Sequence, residues 1–348
     1  MIVRITLILL VIIAVLYPDF IDACTAFSFS LEEGQIMGCN LDFGWGEGYV
    51  VVNKRNLKKD LVFVEDENEQ FFWISQYGSI SYNFAGQEHP WCGMNEAGLM
   101  VCMLWLNDTV LPEADERMPV RGITWVQYQL DNSATIQEVI KSDEDIRLTG
   151  EKCHFFVCDI DGNTAVFEYL DDGLVCYTDE DLPERILTNH PYGEKVENTT
   201  ENTDSPLSSR NRFSIVSEML KKTKPRNTKG AVPYVYNILH SVSGKSTKWN
   251  VVMSQANRNL YFKTAENNVY RRVNMNNFNY NCFEPVMMLD INAKGGGDKS
   301  KHFLKYDHQA SLDIFKRFST WWGIELSPEQ SEACIKTIED FECQEEMN

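Results

Sequence analysis

The chain of 348 residues carries 32 Lys and Arg against 51 Asp and Glu, a net charge of −19, with 43% apolar and 12% aromatic residues. That is a globular composition. The acidic balance, with no basic run longer than a few residues, excludes nucleic acid and anionic membrane surfaces as partners, because both need clustered Lys and Arg. The length allows one large or two modest domains and excludes a small disulfide scaffold or a coiled coil.

At the N-terminus, Arg4 precedes the apolar run Ile5 to Leu16, followed by Ile21, Asp22 and Ala23. This is the layout of a secretory signal peptide. The run is short for a transmembrane helix, which needs about 20 apolar residues, and an uncleaved anchor is the lesser reading. Cleavage after Ala23 is expected, so that residues 1–23 are removed and the mature chain begins with Cys24. Residues 24–348 then form one domain whose last ~40 residues are a helical C-terminal extension. The expected location is secreted, extracellular or periplasmic, or lumenal in a eukaryotic host, with no stable membrane insertion after cleavage. A lipidated Cys24 is the rival reading of the same boundary, and Asp22 fits it poorly.

An oxidising compartment makes the ten cysteines available for pairing, with a connectivity the sequence does not reveal. No CxxC spacing occurs, so no zinc site is expected. Asn107-Asp-Thr109 and Asn198-Thr-Thr200 are glycosylation sequons in a eukaryotic host.

The first predicted element is a hairpin. Residues Thr25 to Ser30 alternate apolar and polar, Glu32-Glu33-Gly34 breaks the pattern, and Gln35 to Asp42 forms the return strand. A turn centred on Glu33 puts Cys24 opposite Asp42. Further strands are expected at Tyr49 to Lys54, Leu61 to Glu65, Gln70 to Ser75, Ser79 to Phe84, Trp91 to Met94 and Leu99 to Leu106. Helices follow at Ile123 to Leu130 and Thr135 to Lys141. Next comes the hairpin Cys153 to Ile160 and Thr164 to Tyr169, whose Asp161-Gly162 supplies the positive φ of a short turn. Strands at Leu174 to Tyr177 and Arg185 to Thr188 precede helices at Arg212 to Lys222 and Pro233 to Ser241. Strands at Trp249 to Ser254, Asn259 to Thr264 and Tyr270 to Val273 lead to the last two helices, Gln309 to Trp321 and Pro328 to Phe341. Segments 193–210 and 293–301 read as surface loops. Runs of strands with helices in pairs make a mainly antiparallel mixed fold.

A cysteine at a mature N-terminus carries both nucleophile and base. Its α-amino group, with an ordinary pKa of about 7.7 to 8.0, can take the thiol proton and return it to a leaving amine. No histidine base is then required. Asp42 is placed to orient thiol and amine, or else simply ends its strand.

Cys24-Thr-Ala-Phe followed by Gly38-Cys-Asn-Leu-Asp42 resembles the opening of the choloylglycine hydrolase, or linear amide C–N hydrolase, family of N-terminal-nucleophile enzymes. Bile salt hydrolases and penicillin V acylases belong to it. Gly93-Met-Asn-Glu-Ala-Gly-Leu99, Leu187-Thr-Asn189 and Asn211-Arg-Phe213 resemble three further family segments, in the same order. Together they extend the resemblance from Cys24 to about residue 290. It implies an α+β fold, the four-layer αββα sandwich with two mainly antiparallel sheets. The implied activity is hydrolysis of a linear amide through a Cys24 thioester, as in a secreted amidase acting on an N-acyl amino acid or amine, a penicillin V-like or a bile-salt-like substrate.

The resemblance also implies roles for named residues. Cys24 is the nucleophile, Asp42 orients it, Asn189 and the vicinity of Asn95 form the oxyanion hole, and Arg212 supports charge near the reacting centre. Read alone, Asn95 suits a turn, Asn189 a strand end and Arg212 an exposed helix start. No metal or organic cofactor is implied. The expected partner is a small-molecule acyl amide, with a homo-oligomer left open. Trp45, Trp73, Trp91, Trp105, Met94 and Met103 are candidates for an acyl pocket or for core. One position departs from the family: Cys39 stands where Arg or Lys is usual. That leaves a weak or inactive acyl-amide binding protein of the same fold as the alternative, with Lys54 or Arg55 as substitute charges.

Overall fold

The computed structural model describes residues 24–61, 71–171, 173–193 and 207–344. The expected leader, the sequon at Asn198 and most of the strand expected from Leu61 lie outside the described residues.

Two large sheets face each other. The first runs, edge to edge, through Ile186–Leu187, Thr25–Leu31, Gly34–Asp42, Thr247–Ser254, Asn259–Thr264, Arg271–Asn274 and Gly297–Asp298. The second runs through Gly173–Thr178, Thr164–Leu170, Cys153–Cys158, Met100–Trp105, Pro90–Asn95, Ser79–Asn83, Tyr49–Asn53, Met287–Asp290 and Leu304–Lys305. Their pairing is antiparallel except between Arg271–Asn274 and Gly297–Asp298.

Helices α1 (Gly122–Asn132) and α2 (Ile136–Lys141) cover the outer face of the second sheet, and α3 (Ser209–Leu220) and α4 (Thr228–Ser241) that of the first. Helices α5 (His308–Trp321) and α6 (Pro328–Glu339) close one end of the sandwich, where α5 feeds Leu312, Ile314 and Phe315 into the core between the sheets. This is the expected αββα sandwich.

The layers follow from the chain's own pattern. Strands of the first hairpin are apolar on both faces because one face meets the other sheet and the other meets α4. Gly38 permits that second contact: a Cβ there would lie 2.5 Å from Val235 Cγ1 of α4. Gly162 takes φ +96°, as the Asp-Gly turn requires. Asp159 secures the same turn by accepting hydrogen bonds from the Asp161 and Asn163 amides at 3.1 and 2.9 Å.

The register of the first hairpin corrects one expectation. Its turn holds only Glu32 and Glu33, Leu31 pairs with Gly34, and Thr25 pairs with Asn40. The ladder is therefore shifted by one residue from the expected pairing, and Cys24 falls level with Leu41 rather than Asp42. Since side chains alternate between faces, a one-residue shift changes which neighbour is met. Sequence patterning also passed over several short elements, among them the parallel pair Met118–Arg121 with Ile146–Thr149 and the C-terminal Glu342–Cys343. Strands of two to four residues have too little alternation to register. One disulfide joins Cys282 to Cys343, and the other eight cysteines are free thiols.

A buried charge network links this frame to the cleft described below. Lys59 is fully buried and donates to both Glu88 oxygens at 2.8 and 3.0 Å and to Asp131 Oδ2 at 2.8 Å. Trp73 and Gln127 also donate to Asp131, each at 2.8 Å. Burial opposes the lysine's charge, but the two carboxylates outweigh it and hold its pKa above the ordinary value. Breaking such a network from one side strands the remaining charges. Lys59→Met is expected to lower stability by about 3 to 5 kcal/mol, read from urea unfolding followed by tryptophan fluorescence.

Candidate active site

Cys24 is the first described residue, immediately precedes Thr25–Leu31 and is among the residues lining a cleft. The cleft holds about 1060 Å³ of open space. Its walls are mainly apolar and aromatic, including Phe84, Trp91 and Trp105 from the second sheet and its loops, and Phe318 and Trp322 from the C-terminal helices. Asp42, Arg121 and Glu151 are the charged side chains among its lining residues.

The Cys24 thiol is buried and lies 3.9 Å from the Asp42 carbonyl oxygen. Burial, reinforced by the Asp42 charge, pushes its pKa up to about 12, while Arg212 pulls the other way. A thiol so placed is protonated at neutral pH. The Asp42 carboxylate accepts a hydrogen bond from the Thr247 hydroxyl. A bulge between Thr247 and Trp249 brings that hydroxyl opposite Asp42 and re-aims the strand end.

Arg212 is not an exposed helix start. It is 1% exposed and makes the densest set of contacts in the site. Its guanidinium donates to the Cys24 carbonyl at 2.5 Å, to Thr25 Oγ1 at 2.8 Å, to Asn189 Oδ1 at 3.1 Å and to the Leu207 carbonyl at 3.1 Å. Ser208 caps α3 by accepting from the Asn211 amide, which sets the helix start that turns Arg212 inward. Asn189 donates in turn to the Trp105 carbonyl at 2.7 Å. One chain of hydrogen bonds therefore runs from residue 24 through Arg212 and Asn189 to Trp105.

Asn95 is corrected. Its amide nitrogen donates to the carbonyls of Leu130 and Ser133 at 3.0 and 2.7 Å, and its oxygen accepts from the Leu99 amide at 2.9 Å. Both donors are taken up in holding the turn onto α1, and the residue does not line the cleft. Trp105, at the far end of the same strand pair, is the residue of that region that does. Of the other acyl-pocket candidates, Trp91 and Met103 line the cleft and Trp73 a smaller neighbouring cavity, whereas Trp45 and Met94 belong to the core.

Cys39 is fully buried beside Cys102, which itself faces Cys92 across neighbouring strands. Burial first, then Cys102, raise its pKa well above the ordinary value, so it behaves as a small apolar residue. The suggested substitutes are engaged elsewhere: Lys54 donates to the Asn279 carbonyl and Arg55 pairs with Glu96. Arg212 supplies positive charge close to Cys24.

An αββα sandwich of two mainly antiparallel sheets faced by helices is the N-terminal-nucleophile hydrolase fold. The profile of "Linear amide C-N hydrolases, choloylglycine hydrolase family" matches residues 24–204, and the chain belongs to that family. It is 26% identical over 248 residues to a penicillin V acylase of Pectobacterium atrosepticum, a match covering 56% of this chain and 65% of that relative, just under two thirds of its length. The structure of penicillin V acylase from Agrobacterium tumefaciens superposes with a TM-score of 0.68 at 22% identity, covering 82% of this chain and 98% of that one. A variant of the conjugated bile acid hydrolase of Clostridium perfringens gives 0.59 at 17% identity, covering 77% and 97%. These superpositions carry the fold.

Two buried histidines flank the site. His89, in the cleft wall, donates from Nδ1 to the Gln87 carbonyl, and His190 lies between Thr188 and Ser209. Burial lowers each to about 4. Above the ordinary value of about 6.5 neither state is charged and stability is complete. As pH falls towards 4 the unfolded chain takes up protons that the fold refuses, and stability is lost. The urea midpoint is expected to fall between pH 7 and pH 4.5, and His89→Asn, which keeps an Nδ1-like donor, should flatten that fall.

Proposed function

We propose that the chain is a secreted or lumenal amidase that cleaves a linear carbon–nitrogen amide bond through a thioester on Cys24, after removal of residues 1–23. Family membership and the placement of Cys24, at the first residue of the family match and in the lining of an aromatic cleft, support this reading. The substrate class it favours is a small N-acyl amine or amino acid with an apolar acyl group.

The chemistry follows from the thiol's high pKa. An α-amine of pKa about 7.7 to 8.0 on the same residue accepts the Cys24 proton as sulfur attacks the amide carbonyl. Negative charge then builds on the carbonyl oxygen. The Asn189 amide, joined through Arg212 to the Cys24 carbonyl and donating to the Trp105 carbonyl, is the side-chain donor proposed to meet that charge. The ammonium returns its proton to the departing amine, and water, activated by the same amine, hydrolyses the thioester. Asp42 and Arg212 act by holding residue 24 rather than by exchanging protons.

Intact-mass analysis of the secreted protein is expected to give a chain starting at unmodified Cys24. An acylated Cys24, or another start, would overturn the mechanism by removing the base. On a panel of N-acyl amides, Cys24→Ala should lose at least about 10⁴ in kcat, and full activity there would end the proposal. Asn189→Ala should lose about 10² to 10³ in kcat. The rate should rise with pH through about 8.

A further inference from the structure

A buried acid–imidazole pair that the reaction does not use lies behind the segment carrying Asn189. His154 and Glu168 stand opposite one another on the neighbouring strands Cys153–Cys158 and Thr164–Leu170, and both are fully buried. They share a face with Phe156 and Val166, which belong to the core between the sheets. His154 donates from Nδ1 to Glu168 Oε1 at 2.8 Å. Both Glu168 oxygens accept from the Tyr192 backbone amide, at 3.0 and 3.1 Å. In stability alone, a buried ionic pair does little better than apolar residues of the same volume. What this pair adds is a fixed attachment point for Tyr192.

Residues 188–192 follow the edge strand Ile186–Leu187 of the first sheet. Near their start, the Ser209 hydroxyl lies 3.0 Å from Thr188 Oγ1 and 2.8 Å from His190 Nδ1, which ties the segment to the beginning of α3. At their end, the Tyr192 amide ties them to the second sheet through Glu168. Asn189 stands between these two anchors. Its carboxamide is oriented by Arg212 at Oδ1 and by the Trp105 carbonyl at Nδ2, so that among the described residues the second Nδ2 hydrogen is not engaged. Those two bonds set the plane of the amide, and the two anchors set the backbone that carries it.

Resting on the amidase reading, we propose that His154 and Glu168 are positioning residues for the Asn189 carboxamide. The Glu168 carboxylate holds the Tyr192 amide, and His154 holds the carboxylate in the orientation that faces it. Neither residue is among those lining the cleft, so both act through Asn189. A donor to a developing oxyanion works by standing ready where the charge appears, and a misplacement of about 1 Å can cost on the order of 10²-fold in rate.

The test is kinetic, on the purified full chain with the N-acyl amide of the panel that it cleaves fastest. Glu168→Ala is expected to lower kcat about tenfold and to move KM less than about twofold. Glu168→Gln, which keeps an oxygen for the Tyr192 amide, should restore most of kcat. In an Asn189→Ala background, Glu168→Ala should change kcat less than about twofold, because the group it positions is gone. Equal losses in both backgrounds would overturn the proposal. His154→Leu combined with Glu168→Met removes both partners and strands no charge. That double variant should keep its urea midpoint and still lose about tenfold in kcat, and full kcat there would also overturn the proposal. In parallel, hydrogen exchange of the peptide covering residues 186–193 is followed by mass spectrometry. Exchange is expected to be faster in both Glu168→Ala and the double variant than in the unaltered chain, and unchanged exchange would overturn the attachment. If the unaltered protein cleaves no amide, the reaction assignment fails while the exchange measurement still decides whether Glu168 holds the segment.

Discussion

The site depends on one buried guanidinium. Arg212 sits with 1% of its surface exposed and must find hydrogen-bond partners, since an unpaired buried cation is too costly to keep. It finds them in the carbonyl of residue 24, the Thr25 hydroxyl, the Asn189 oxygen and the Leu207 carbonyl. Those partners come from the first strand, the loop after the edge strand Ile186–Leu187 and the lead into α3. Satisfying one charge therefore fixes the nucleophile candidate and the amide donor relative to each other. The same interaction sets the electrostatics of the thiol, because Arg212 is the cation that counters burial and Asp42 at Cys24.

The position usually held by Arg or Lys shows what that arrangement replaces. Cys39 occupies it as a buried thiol packed near Cys92 and Cys102, in a core of small, polarizable groups with no charge to satisfy. A second cation there would need its own partners among residues that offer none. The structure keeps positive charge on the α3 side of Cys24 and leaves the inter-sheet side apolar, continuous with the aromatic cleft. An active amidase is thereby compatible with the departure that first suggested a binding protein.

Legibility in the sequence tracked how local each signal was. The Asp161-Gly162 hairpin and the helices followed from alternation and turn residues, and the αββα architecture from the family resemblance that the ordered motifs carry. The first hairpin was read correctly as a hairpin but one residue out of register, because a two-residue and a three-residue turn leave almost the same pattern of apolar positions. Asn95 was assigned through its motif, but that motif's rigidity comes from the asparagine holding the turn against α1, which uses up its donors. Trp105 offered no signal beyond being aromatic, and its place beside Asn189 is visible only once the strands are paired.

By itself, then, the sequence determined the family, the fold class and the candidate nucleophile, because these rest on contiguous motifs and on periodicities that short-range chemistry imposes. Only the tertiary structure decided that Arg212 is buried, that Asn189 and Trp105 stand together, that Cys39 has thiol neighbours, and that the last two helices wall the cleft. Each of these joins residues far apart in the chain, such as Cys24 with Arg212 and Phe84 with Phe318. The physical reason is that desolvation and close packing act between surfaces brought together by the whole fold. No local pattern of side chains records which distant surface will cover it.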